Sequence, residues 1–108
     1  MRIAQYVAFL GAASMAAAIL YGLAAAGPGE VDTLLDLVWG RVALLDVYIG
    51  FLLFWAWIFF REQNLGRSFL WLLPILILGN FTTCLYVFLA LRASGGDWRR
   101  FWLGSRAA

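Results

Sequence analysis

Three long apolar runs, separated by short polar breaks, organise the chain. The first, Ile3 to Ala26, holds 24 residues without a charge, enough for a helix of roughly 36 Å at 1.5 Å per residue, against about 30 Å of bilayer hydrocarbon. Gly27-Pro28-Gly29 then breaks the pattern, since proline lacks an amide donor and glycine turns freely. Glu30, Asp32 and Asp36 cluster where the next helix should begin, with Asp32 or Thr33 able to cap it. Residues 31–40, including Trp39, are expected at or near an interface. The second run, Val42 to Phe60, carries one carboxylate, Asp46, and ends in Phe54, Trp55, Trp57, Phe59 and Phe60. Residues 61–68 form a short polar turn suited to antiparallel neighbours. The third run, Phe69 to Leu91, has 23 residues, with Pro74 one turn inside and Gly79-Asn80 near its middle. Gly95-Gly96 then frees a tail rich in aromatic and cationic groups.

The pattern predicts an all-α integral membrane protein: one membrane domain over residues 1–108, with transmembrane helices over about 3–26, 42–60 and 69–91 and an interfacial segment over 92–108. Composition agrees with it. Hydrophobic residues make up 65% and charged residues 13% of the 108, whereas soluble domains carry about a quarter charged residues; the mean hydropathy is +0.87. A rival reading of the first run is a cleaved signal peptide, with Arg2 as its basic start and Ala24-Ala25-Ala26 as its cleavage site. Signal h-regions, at about 7–15 residues, are shorter than this run.

The residue inventory excludes much chemistry. Histidine is absent and Cys84 is the sole cysteine, so the sequence offers no haem ligand of the usual kind, no His-containing zinc site, no His-centred triad and no intrachain disulfide. No cofactor or metal is expected, and the chain is expected not to be an enzyme. The net charge of +2 could suit nucleic acid, but the arginines flank apolar runs, where lipid headgroups are the better partner. Arg41, Arg92, Trp98, Arg99, Arg100 and Trp102 are therefore assigned to the interface.

Within the runs, polar residues stand out by their cost. A carboxylate at the bilayer centre costs about 2.5–3.5 kcal/mol, so Asp46 should find partners. Counting antiparallel depth from the 61–68 turn places Thr82, Thr83 and Tyr86 at its level and Asn80 near Ile49 and Gly50. Asp46, Tyr48, Asn80, Thr82, Thr83 and Tyr86 thus form an expected interhelical polar cluster. It reads either as a clasp between helices or as a proton or ligand site. Ser14, Ala18 and Gly22, four apart, form a small-residue face for close packing within the chain or against a partner. The aromatic residues read as interfacial anchors and lipid contacts, with a pigment, quinone or lipid tail as the alternative. Cys84 reads as a small buried hydrophobe.

Three crossings would put the N-terminus and the 61–68 turn on one side, and the 27–33 loop and tail on the other. The arginines then split, with Arg2, Arg61 and Arg67 opposing Arg92, Arg99, Arg100 and Arg106, and Arg41 at the edge of the second group. The first helix favours a cytoplasmic N-terminus, and the expected location is the inner membrane of a bacterium.

The segments Trp39-Gly40-Arg41, Leu44-Leu45-Asp46-Val47-Tyr48-Ile49-Gly50-Phe51 with Arg61-Glu62, and Leu78-Gly79-Asn80-Phe81-Thr82-Thr83-Cys84-Leu85-Tyr86 resemble a family of small three-helix membrane proteins of unknown function from plants and bacteria. The resemblance covers about residues 35–92. It implies a core hairpin of the second and third helices, with Asp46, Tyr48, Thr83 and Tyr86 matching the polar pattern, and it brings no activity. The functional expectation is a non-catalytic accessory subunit that assembles or stabilises a larger membrane complex, respiratory and photosynthetic complexes being candidates, with lipids and that complex or further copies as partners. The alternative is a small oligomeric proton-linked transporter using Asp46, and a third class is a lipid- or quinone-contacting helper.

Overall fold

The computed structural model describes residues 2–104; Met1, Arg106 and the rest of the tail expected beyond Gly104 lie outside the described residues. Six helices follow one another: α1 (Arg2–Ala25), α2 (Glu30–Asp36), α3 (Val38–Glu62), α4 (Leu65–Leu78), α5 (Asn80–Ala93) and α6 (Trp98–Leu103). Helices α1 and α3, of 24 and 25 residues, are long and apolar enough to cross a membrane, by length and composition. They take up the first two apolar runs. The N-cap of the short α2 is Gly29, whose carbonyl accepts the Thr33 hydroxyl at 3.1 Å, so neither Asp32 nor Thr33 caps it.

The third run is not one helix. It is divided at Gly79 (φ 64°, ψ −132°), a backbone state that L side chains rarely adopt, and the chain turns back on itself there. The Thr82 hydroxyl donates to the Pro74 carbonyl at 3.0 Å, and the Trp71 and Tyr86 rings meet with centroids 4.9 Å apart. In a straight helix residues 71 and 86 would be separated by about 22 Å. Helices α4 and α5, of 14 residues each, are therefore the two arms of a helical hairpin, each about 21 Å long and too short to cross about 30 Å of hydrocarbon. The expected single helix over 69–91 is replaced by this hairpin. Proline alone does not cause the break, because α4 continues through Pro74 to Leu78.

The tip of the hairpin stops halfway along α3: a side chain on Gly79 would lie 3.2 Å from the Phe51 ring. Arm α4 runs antiparallel to α3, fixed where the Trp55 indole N–H donates to the Ser68 carbonyl at 2.7 Å and where the Trp55 and Phe69 rings meet at 5.3 Å. Arm α5 runs antiparallel to α1. Phe9 meets Phe88 at 5.8 Å, and a side chain on Gly11 would stand 2.7 Å from the Cys84 sulfur. Along this seam Ala8 and Ala12 are buried, with Ala4 packed against the core; small residues let the backbones approach.

The start of α1, the turn after α3, the end of α5 and α6 lie together, whereas the expected layout put the tail opposite the N-terminus. Among the described residues this end gathers Arg2, Arg61, Arg67, Arg92, Arg99 and Arg100, and the opposite end has Glu30, Asp32, Asp36 and Arg41. The surface between them is strongly apolar, with Leu23, Leu53, Leu70, Leu73 and Ile77 all more than 60% exposed.

Candidate functional site

Two polar clusters punctuate this apolar bundle. The first closes the arginine-rich end. Arg61 is the penultimate residue of α3 and only 8% exposed. Its Nε donates to the Phe101 carbonyl at 2.6 Å, and Nη2 reaches the Arg100 carbonyl at 3.5 Å. A cation on the last carbonyls of α6 satisfies groups that the helix itself leaves open. Nη1 donates to the Tyr86 hydroxyl at 3.0 Å and pairs with Glu62 at 3.4 Å, while the Tyr86 hydroxyl donates to Glu62 Oε1 at 2.7 Å. Arg67 closes the other side of Glu62 at 3.4 Å. Rings complete the enclosure: the Arg61 guanidinium lies 5.9 Å from the Trp57 centroid and 5.7 Å from that of Tyr86, and Trp57 packs on Phe101 and Trp102. The arrangement joins α3, α5 and α6 in one hydrogen-bonded knot.

The second cluster lies at the hairpin tip. Asp46, Val47, Gly50, Phe51 and Phe54 of α3, together with Asn80 and Thr83 of α5, line an open groove of about 410 Å³. Asp46 and Asn80 are exposed on it. Among the described residues the Asp46 carboxylate has no ion-pair partner: Arg41, one turn earlier, directs its Nε to the Leu35 carbonyl at 2.6 Å, tying α2 to α3. The Thr83 hydroxyl is buried without a hydrogen-bond partner. Nothing in the groove assembles a nucleophile with a base, and among the described residues no His, Cys, Asp and Glu gather as a metal-binding group.

The expected polar cluster is thus divided. Asp46, Asn80 and Thr83 share the groove; Thr82 is buried against Pro74 inside the hairpin; Tyr48 reaches the Leu76 carbonyl at 3.5 Å; and Tyr86 belongs to the Arg61 knot. Tyr86 left the level of Asp46 because α5 runs back toward Glu62. Arg61 and Glu62 were expected only as part of a polar turn. Their signal was positional: an arginine and a glutamate directly behind an aromatic run, with a tyrosine available on the next apolar segment. In the expected packing face, Ser14 and Ala18 are exposed and a side chain on Gly22 would meet nothing within 4 Å; Ala8, Gly11 and Ala12 make the internal contact instead. Of the interfacial residues, Arg92, Trp98, Arg99, Arg100 and Trp102 are all exposed at one end, where Trp98 and Trp102 border an apolar cleft of about 460 Å³ between α1, α5 and α6.

What these features define is an all-α chain with an apolar exterior, one internally satisfied ionic knot and one open polar groove. The chain belongs to a family described as protein of unknown function (DUF1475), whose model matches residues 2–97. The match reaches well beyond the 35–92 segment and takes in α1 and its seam with α5. No curated protein and no solved structure matches the chain.

Proposed function

We propose that this protein is an integral membrane protein with two crossings, α1 and α3, and a re-entrant hairpin, α4–α5, and that it acts as a non-catalytic subunit docked against a larger membrane complex. The exposed apolar flanks support the first part, since water would not tolerate them. Backbone that turns at membrane depth is acceptable where protein covers it, and Phe51 covers Gly79. Two crossings also remove the conflict among the arginines. With six of the described arginines at one end, the positive-inside tendency directs that end to the cytoplasm, so α6 joins the N-terminus there. Reporters fused to either end should both be active in the cytoplasm; activity of the C-terminal fusion on the far side would overturn this layout.

The subunit role rests on one observation, the exposed carboxylate of Asp46 on the groove with Asn80 and Thr83. Asp46 lies eight residues into α3, about 8 Å inside the hydrocarbon when a helix of this length is centred on it. A lipid-facing charge there is costly, so the working state covers it. After gentle solubilisation the protein should migrate on a native gel with a complex in fixed stoichiometry, and Asp46→Ala should release it. Isolated, ligand-free monomer from native membranes would sink the reading, as would release from membranes by alkaline washing.

The same carboxylate favours a second reading, an oligomeric proton-linked carrier in which Asp46 takes up and releases the proton beside Asn80. That reading requires Asp46→Asn to abolish flux with insertion intact. The subunit reading requires no flux in the purified protein.

A further inference from the structure

The subunit reading leaves open what covers Asp46, and the charges of the chain narrow the answer. From its contacts we infer that the groove receives a transmembrane helix of a different protein carrying one basic side chain, lysine or arginine, at the depth of Asp46. This deepens the subunit reading and rests on it.

The groove first needs a cation. A carboxylate inside hydrocarbon is stabilised chiefly by an opposite charge with hydrogen bonds around it. The Asn80 amide stands exposed on the same groove, and its carbonyl oxygen is an additional acceptor for the donors of an ammonium or guanidinium group. Gly50, one turn beyond Asp46, has open space where a side chain would be. It forms a notch beside the charge, and such notches let two helix backbones approach closely.

Among the described residues none supplies that cation. The basic residues of the chain are all arginine, and six of the described ones sit at the far end of the bundle. The seventh, Arg41, is held on the Leu35 carbonyl as the brace between α2 and α3. A second copy inserted in the same orientation brings the same arrangement, so self-association offers Asp46 only a cation that is already engaged. A foreign helix is the occupant that meets the charge.

The test uses the whole protein, reconstituted in phosphatidylcholine vesicles, and two synthetic peptides of leucine and alanine without tryptophan. Each spans the bilayer, carries a dansyl group, and differs only in one residue at the depth of Asp46, lysine or glutamine. Energy transfer from the protein's tryptophans reports association. Wild type should associate with the lysine peptide at about one tenth of the membrane density needed for the glutamine peptide. Asp46→Asn should remove that preference, and Gly50→Leu should weaken association with both peptides. Circular dichroism and retention in the vesicles verify that each variant is folded and inserted. Equal association of wild type with both peptides, or a preference that survives in Asp46→Asn, overturns the inference. The two levels fail separately: a fixed-stoichiometry complex on native gels without lysine preference removes the basic partner and keeps the subunit, while lysine preference without any co-migrating complex removes the subunit.

Discussion

The arginine-rich end and the hairpin-tip groove contain similar chemistry in opposite states of completion. Around Arg61 every charge has a counterpart: Glu62 accepts from Tyr86 and faces both Arg61 and Arg67, and the guanidinium also binds two carbonyls of α6. Around Asp46 the carboxylate is exposed, Asn80 is exposed, and the Thr83 hydroxyl lacks a partner. Buried polar groups that are fully paired fix a structure, whereas exposed ones remain open to contact from outside. The difference assigns the first cluster to holding the chain together and, under the proposed function, leaves the second for contact with a partner.

The sharpest way to break this comparison is to remove Arg61. Arg61→Met leaves Glu62 without its buried cation and frees two carbonyls of α6, a change that typically costs about 3–5 kcal/mol. The unfolding temperature in detergent should fall more than for any other substitution considered, and trypsin should cut after Arg99 and Arg100 faster as α6 detaches. Arg61→Lys keeps the charge but loses the planar fork, and should fall between wild type and Arg61→Met. An unchanged melting temperature and cleavage rate for Arg61→Met would reduce the knot to a surface decoration.

Next in size is Gly79, the residue that brings α5 back from the groove toward the knot. Gly79→Val forces a branched side chain into φ 64° and toward the Phe51 ring, at a cost of about 1–3 kcal/mol. Loss of thermal stability should be accompanied by loss of the Trp71–Tyr86 contact, read from near-ultraviolet circular dichroism. A variant as stable as wild type with the same aromatic signal would show that the turn does not depend on this glycine.

How far the sequence discloses this layout depends on the range of the interactions involved. Helices α1 and α3 are legible because each is built on one long apolar run, Asp46 being the single charge between Val42 and Phe60. The hairpin is not, because an interior glycine costs a helix only about 1 kcal/mol against alanine, so Gly79-Asn80 is compatible with a straight helix. What selects the turn is contact between residues 8 and 15 apart, Thr82 on Pro74 and Trp71 on Tyr86. Half of the groove survives the misreading: Thr83 meets the groove of Asp46 under either layout, since the tip lies beside Phe51. Tyr86 does not, because reversing α5 carries it to the other end. The knot escapes sequence reasoning for the same reason, as Arg61 and Tyr86 are adjacent only once α5 returns. The internal small-residue seam is not singled out in the sequence because α1 is alanine-rich on several faces, and only the position of Cys84 selects Gly11 and its neighbours.

A smaller effect tests the seam on which the returning α5 depends. Gly11→Ala places a methyl group within 2.7 Å of the Cys84 sulfur, an overpacking that costs about 1 kcal/mol or somewhat more. Cys84→Ala in the same chain removes the obstructing atom and should restore most of the loss. This non-additivity is the signature of direct contact. Additive losses in a thermal melt would mean that α1 and α5 do not meet there.

The smallest effect is expected at Asp46. Asp46→Leu removes a charge that has no ion-pair partner among the described residues, so the unfolding free energy should change by no more than about 0.5 kcal/mol in either direction. Membrane insertion should become easier, because the cost of placing a carboxylate in hydrocarbon disappears. On the proposed reading, the Asp46 charge acts only in contact with another molecule. If Asp46→Leu instead destabilises the purified protein as severely as Arg61→Met, the groove is a structural clasp of the same kind as the knot, and the contrast between the two ends disappears.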